Sequence, residues 1–376
     1  MAKSKKAAPA PDVLIIGGGI MGTASAWELA RHGARVTVLE RSVPGAEASS
    51  AAGGILGAQS EAHQPGPLTE LCLASRARYE RFAHTLASET KIDVGYRACG
   101  VMHVELERKK ANALVKASAW QKTRKLKLET LTAKAIAALE PELSPKLVGG
   151  VRFADDARVE PKALLRALHI AALARGVKFQ SGAFVRRVVV EGERAVGVEL
   201  DGGKVLRASN VVVAAGSWTS LIDGLGLPAG RVVPARGQIL ELELPAPVLS
   251  NVVFGPGAYL VPRDDGRLLV GSTLEFVGYE KRVTASAVRD LLTHAIALVP
   301  ALGNAEIRDT WSNFRPYTED ELPLLGATRI ASLFLSTGHY RNGILLAPIS
   351  AEIVRAAVLG QRAPVPLAAF RPERVL

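Results

Sequence analysis

Three glycines and one carboxylate carry the first chemical signal in the chain. Gly17, Gly19 and Gly22 form G-x-G-x-x-G directly behind the β-branched run Val13 to Ile16, and Glu40 follows about 20 residues on. Gly17 permits a tight turn, Gly19 lets the backbone approach a pyrophosphate, and Gly22 lets a helix pack closely on a strand. Free N–H groups at the helix start point at phosphates. A carboxylate at Glu40 accepts hydrogen bonds from ribose hydroxyls. The chemistry is the holding of a dinucleotide. A glycine-rich structural turn is the alternative, and the order strand, glycines, helix, strand, acid argues against it.

Several elements must position these residues. A buried strand over 13–16 leads into an amphipathic helix ending near Gly33, and a second strand, 35–39, delivers Glu40. Residues 41–59, RSVPGAEASSAAGGILGAQ, form a small-residue loop leading into a helix. Small side chains there let backbone approach a flat or phosphorylated ligand. Helical periodicity predicts a helix over 68–89, with Leu71, Tyr79, Phe82 and Leu86 inward, and others over 162–175, 284–298 and 344–359. The basic stretch 109–127 reads as helical with a solvated face. Strands are expected at 100–106, 177–180, 183–190, 196–200, 259–262, 267–271, 307–316 and 333–336. Residues 231–244 alternate as a long half-exposed strand should. The run 210–215, NVVVAA, returns to the nucleotide sheet and ends in Gly216, with Ser217 opening a helix.

The expected fold class is α/β plus α+β. A Rossmann-like nucleotide domain (12–95, 150–225 and 326–376) interleaves with a mainly antiparallel substrate domain (96–149 and 226–325). A flexible basic tail, 1–11, precedes both.

A chain of 376 residues with 48% hydrophobic residues is globular and long enough for two domains. Two cysteines, Cys72 and Cys99, cannot make a disulfide framework at this length, so reduced thiols and a cytoplasmic location are expected. No apolar run is long enough to span a bilayer, and the head has no signal-peptide pattern. The formal net charge is +11, but the basic residues are scattered and aromatics make up only 5%. A solvated basic surface, which also attracts anionic substrates, is preferred over nucleic-acid binding. No metal site is expected.

The segments GGGIMG, SSAAGGILGA, ADDARVEP, VVVAAGSW, YLVPRDDGRLLVG, FRPYTEDELPLLG and TGHYRNGILLAP occur in an order that resembles the D-amino-acid oxidase family of flavoproteins. The resemblance runs from about Asp12 to Leu359, and YLVPR with GHYRNGILLAP is most similar to the glycine oxidases of the thiamine pathway. It implies FAD and a homotetramer. Carried over by motif, Ile20 and Met21 lie at the pyrophosphate turn and Glu40 at the ribose. Arg41, Ala48, Ser49, Gly53, Gly54 and Ile55 belong to the loop near phosphates and flavin. The backbone of Val185 meets the adenine. His339, Tyr340, Arg341, Asn342, Gly343, Ile344, Leu345 and Leu346 form the turn and helix start beside the isoalloxazine, where a helix N-terminus can stabilise negative charge. Gly216 completes the cofactor set. Neither cysteine lies beyond residue 99, where covalently flavinylated relatives carry one, so the FAD is expected to be noncovalent.

The same resemblance assigns the substrate to Tyr259, Arg315 and Arg341. A carboxylate needs a planar cation, and arginine offers a two-pronged fork. Arg315 stands on a strand between Phe314 and Pro316, which disfavours a merely solvated role. His339 is discounted as a base, because a substrate arriving as the neutral amine needs none. The implied reaction is oxidation of glycine, sarcosine or small D-amino acids to an imine, which water hydrolyses to a 2-oxo acid. Oxygen takes the electrons and yields hydrogen peroxide. The alternatives are a dehydrogenase that passes electrons to a quinone, and a non-catalytic nucleotide- or RNA-binding module.

Overall fold

The computed structural model describes residues 12–375, so the basic tail expected over 1–11 lies outside it. The nucleotide sheet has six strands in the order Leu324–Ala327, Leu333–Thr337, Asn210–Val213, Val13–Ile16, Val36–Leu39, Lys178–Gln180. The last five are parallel, and the first is an antiparallel edge. Both faces are covered, which is why its strands read as unbroken apolar runs. Val13 and Ile15 pack under the helices Ile20–Arg31, Pro67–Thr90, Pro161–Ala174 and Gly343–Val358. Leu14 and Ile16 pack on a three-stranded sheet formed by Val185–Glu191, Arg194–Leu200 and Val205–Arg207.

The second sheet has eight strands, in the order Glu306–Tyr317, Val233–Glu243, Arg267–Gly271, Ala258–Pro262, Val252–Gly255, Val101–Glu105, Gly149–Phe153, Glu129–Thr132. One face packs beneath the helix Ala285–Leu298. The other carries Val101, Ile239, Val252, Val261 and Leu269, with Tyr259 and Trp311 against them. The strand Gly149–Phe153 belongs to this sheet and Leu324–Ala327 to the other, so both straddle the expected bounds at 150 and 326. We place the division between the two units just after 153 and just before 324.

Two local expectations are corrected. The strand expected over 231–244 spans Val233–Glu243 and is buried except at its ends. It is paired on both edges, and each face is covered: Leu240 and Leu242 lie in the core under the helix, while Gly237 and Ile239 face a cavity. Alternation there marks two kinds of burial, not burial and solvent. Ser217 opens no α-helix. A 3-10 turn spans Gly216–Leu221, and the Ser217 hydroxyl donates to Phe314 O at 2.9 Å. Cys72 is buried and Cys99 half-buried, and both are free thiols.

Candidate active site

A cavity of about 420 Å³ is walled by both sheets. On the nucleotide side the chain turns at Gly17 with φ +103°, and a Cβ there would lie 2.5 Å from Ala214 O. A Cβ on Gly22 would lie 1.9 Å from Gly17 O, so helix and turn are in backbone contact. Gly19 precedes the helix Ile20–Arg31 without a capping side chain, and Ile20 N donates to Ser49 Oγ at 2.9 Å. Glu40 is buried; its carboxylate accepts from Gly18 N at 2.8 Å and Ser42 N at 2.9 Å, which fixes it in the cavity wall. The Arg41 guanidinium lies 3.9 Å from the Trp218 ring centroid. Phe184, Val185, Trp218 and Ile222 add an apolar wall suited to a flat base. This narrow turn, wall carboxylate and aromatic face fit the FAD that the sequence implied.

All the expected cofactor residues line the cavity except Gly22, Asn342, Leu345 and Leu346. Gly22 sits behind the turn as a packing glycine. Asn342 caps the helix Gly343–Val358, its carbonyl accepting from Leu346 N at 2.8 Å. Leu345 and Leu346 are fully buried, because the helical turn rotates both into the core, where Ser75 Oγ donates to Leu345 O. The side chains of these three do not line the cavity; at this helix start a cofactor contact falls to backbone N–H groups.

The antiparallel sheet brings Tyr259 and Arg315 to the same cavity, with Arg341 entering from the turn before the last helix. Arg315 donates from Nη1 to Thr273 O at 3.2 Å and from Nη2 to Ser272 Oγ. Among the described residues it makes no ion pair. Its guanidinium lies over Gly237 on the neighbouring strand, where a Cβ would come within 2.2 Å of Nη1. Tyr259 lies likewise over Gly271, its cross-strand partner, where a Cβ would meet the ring at 2.4 Å. Two glycines thus form the floor on which the polar side chains rest. Gly237→Ala should lower kcat/KM for a carboxylate substrate by roughly ten- to a hundredfold, about 1–3 kcal/mol of displacement at Arg315. Flavin content, read from the visible absorbance, should hold.

Arg341 is engaged differently. Its Nε donates to Glu61 Oε2 at 2.8 Å, and the adjacent Glu61 charge holds the guanidinium above its usual pKa. His339 is buried and contacts Ser350 Oγ through Nε2 at 3.0 Å. Burial pushes its pKa down to about 3, so the imidazole stays neutral across the physiological range.

Sequence reasoning missed Glu61, Ser272, Thr273, Gly237 and Gly271. ADDARVEP was one of the segments that carry the family resemblance, but no role was given to its Asp156, which organises part of the wall. Asp156 is fully buried and accepts from Gln59 N, Ser60 N and Arg76 Nη1. Burial raises its pKa against the pull of Arg76. It thereby anchors the segment that delivers Glu61. Asp156→Ala would strand two backbone donors and a largely buried guanidinium, at a cost of about 3–5 kcal/mol. Chemical denaturation should show the loss. A change below about 1 kcal/mol would mean that solvent replaces the carboxylate.

Among the described residues no helix is long and apolar enough to cross a membrane, and no cluster of His, Cys, Asp or Glu could hold a metal ion. The family model for FAD-dependent oxidoreductases matches residues 12–357. The chain is 41% identical over 372 residues to a bifunctional ThiO/ThiG protein of Synechocystis sp., covering 97% of this chain and 54% of that protein. The chain therefore spans about half the length of that relative. It is 35% identical over 369 residues to the glycine oxidase of Geobacillus kaustophilus, covering 96% of this chain and 97% of that one. The solved structure of glycine oxidase from Geobacillus kaustophilus superposes with a TM-score of 0.92 at 34% identity, covering 98% of this chain and all of that one. On the matched span, the shared fold and the dinucleotide cradle, the chain belongs to the DAO family of FAD-dependent oxidoreductases.

Proposed function

We propose that this chain is an amine oxidase that deaminates glycine, sarcosine and small D-amino acids. The products are a 2-oxo acid, ammonia or an amine, and hydrogen peroxide. The imine formed first is suited to supply thiamine thiazole synthesis. The observation that carries the reading is Arg315, a guanidinium in the cavity wall held by neutral partners only. A substrate carboxylate supplies the missing charge.

When bound, FAD supplies the two-electron acceptor. Arg315 grips the carboxylate with paired N–H donors, and the Tyr259 phenol adds a third hydrogen bond. Anchored there, the amine and α-carbon are left to face the rest of the cavity, where Ile55 and Phe254 line the wall. His339, with its basicity held low by burial, is a poor proton acceptor, so the substrate reacts as its free amine and turnover rises with pH as the amine deprotonates. We further propose that the FAD is noncovalent, that the protein assembles as a homotetramer, and that it works in the cytoplasm.

The test is anaerobic addition of glycine to the yellow protein. Bleaching of the flavin absorbance is expected, extending to sarcosine but not to carboxylate-free methylamine. Equal bleaching by methylamine, or none with any amino acid, would overturn the assignment. Acid precipitation should leave a colourless pellet, whereas a yellow pellet would contradict noncovalent attachment.

A further inference from the structure

The substrate end of the cavity holds two guanidiniums in different states. Arg315 has neutral partners, and Arg341 is paired with Glu61 at 2.8 Å. The Glu61 side chain is only 15% exposed, while that of Arg341 is 45% exposed. Glu61 is held in place: its N–H donates to Gly57 O, and Asp156 binds the backbone N–H groups of Gln59 and Ser60 just before it. The other ionisable groups in the wall are accounted for. Glu40 accepts from backbone N–H groups, Arg41 and Glu47 pair with each other, and His339 is neutral. Two guanidiniums and one carboxylate leave the substrate end with one net positive charge.

We propose that Glu61 is a specificity-determining residue: by occupying Arg341, it restricts the cavity to amines bearing one carboxylate and excludes those bearing two. This rests on the amine-oxidase reading of the cavity. A single carboxylate balances Arg315. A second one meets a guanidinium whose charge is already balanced by Glu61 through Nε, and it faces the Glu61 carboxylate nearby. Like charges in a partly enclosed wall disfavour it. Without the Glu61 charge, Arg341 becomes a second carboxylate receptor at the same site. Lacking that pair, the cavity is complementary to an N-carboxymethyl amino acid such as iminodiacetate.

The experiment uses two unreactive ethers and the FAD-loaded protein. Methoxyacetate mimics sarcosine with one carboxylate, and diglycolate mimics iminodiacetate with two. Calorimetric titration at physiological ionic strength gives the ratio of their affinities. In the parent the second carboxylate should bring no gain. In Glu61→Gln, which keeps the shape and removes the charge, the ratio should move toward diglycolate by roughly tenfold or more. Adding Arg341→Met to Glu61→Gln should erase that gain. An unchanged ratio in Glu61→Gln, or a gain that survives Arg341→Met, overturns the proposal. So does a parent that already binds diglycolate tenfold more tightly, a result independent of whether the variant folds. Should the parent bind methoxyacetate in competition with glycine while the ratio stays fixed, the amine-oxidase reading stands and this inference fails. Should glycine neither bleach the parent nor compete, both fail.

Discussion

Arg315→Lys lowers kcat/KM for glycine by roughly ten- to a hundredfold and leaves flavin content near that of the parent. Lysine keeps the positive charge and removes the planar fork. The loss is therefore the part of the interaction that depends on two directed N–H donors, about 1.5–3 kcal/mol for a charge-assisted contact. The floor under Arg315 is glycine, so a shorter ammonium side chain can collapse toward Gly237 and away from the substrate. Thr273 O and Ser272 Oγ, which now accept from the guanidinium, would draw the ammonium the same way. Methylamine is the control. Having no carboxylate, it should be oxidised poorly by the parent and lose little more in the variant. Equal damage to both substrates, or loss of flavin, would make Arg315 a structural residue.

Gly22→Ala removes the cofactor. A methyl group there would sit 1.9 Å from Gly17 O and 3.3 Å from Ile15 Cγ2. The nearest atom is backbone, so no side chain can swing aside. Either the helix Ile20–Arg31 lifts off the sheet or the turn at Gly17 moves, and both change the phosphate cradle. Overpacking of this kind costs about 1–3 kcal/mol in stability. The effect on binding should be larger, since the displaced atoms are the ones that meet the ligand. The flavin-to-protein absorbance ratio after desalting should fall tenfold or more while far-ultraviolet circular dichroism stays near that of the parent. Gly303→Ala is the matched control, because a Cβ there meets nothing within 4 Å. Full flavin retention in Gly22→Ala would show that the turn tolerates a shift and would remove the cradle from the account.

Local physics made much of the fold legible. The strand Val13–Ile16 and the helix starts after Gly19 and Asn342 are each announced by a few adjacent residues. Tyr259 and Arg315 could be named because their motifs are short and distinctive. Other features depend on contacts between distant parts of the chain. Glu61 and Arg341 are separated by 280 positions, and no periodicity links them. Gly237 and Gly271 look like ordinary strand glycines until the register places Arg315 and Tyr259 on top of them. The alternation over 233–243 was visible, but its meaning was not, because a cavity wall and a core face can both be buried. The side chains of Leu345 and Leu346 lie in the core for a related reason. A motif marks a stretch of chain, whereas the helix decides which of its residues face the ligand.

The most direct test of the central claim is product stoichiometry with glycine in air. The purified yellow protein should form glyoxylate, ammonia and hydrogen peroxide in equal amounts, with catalase abolishing only the peroxide. Glyoxylate without peroxide, appearing only when a quinone is supplied, would contradict the oxidase assignment. No glyoxylate under either condition would contradict amine oxidation altogether.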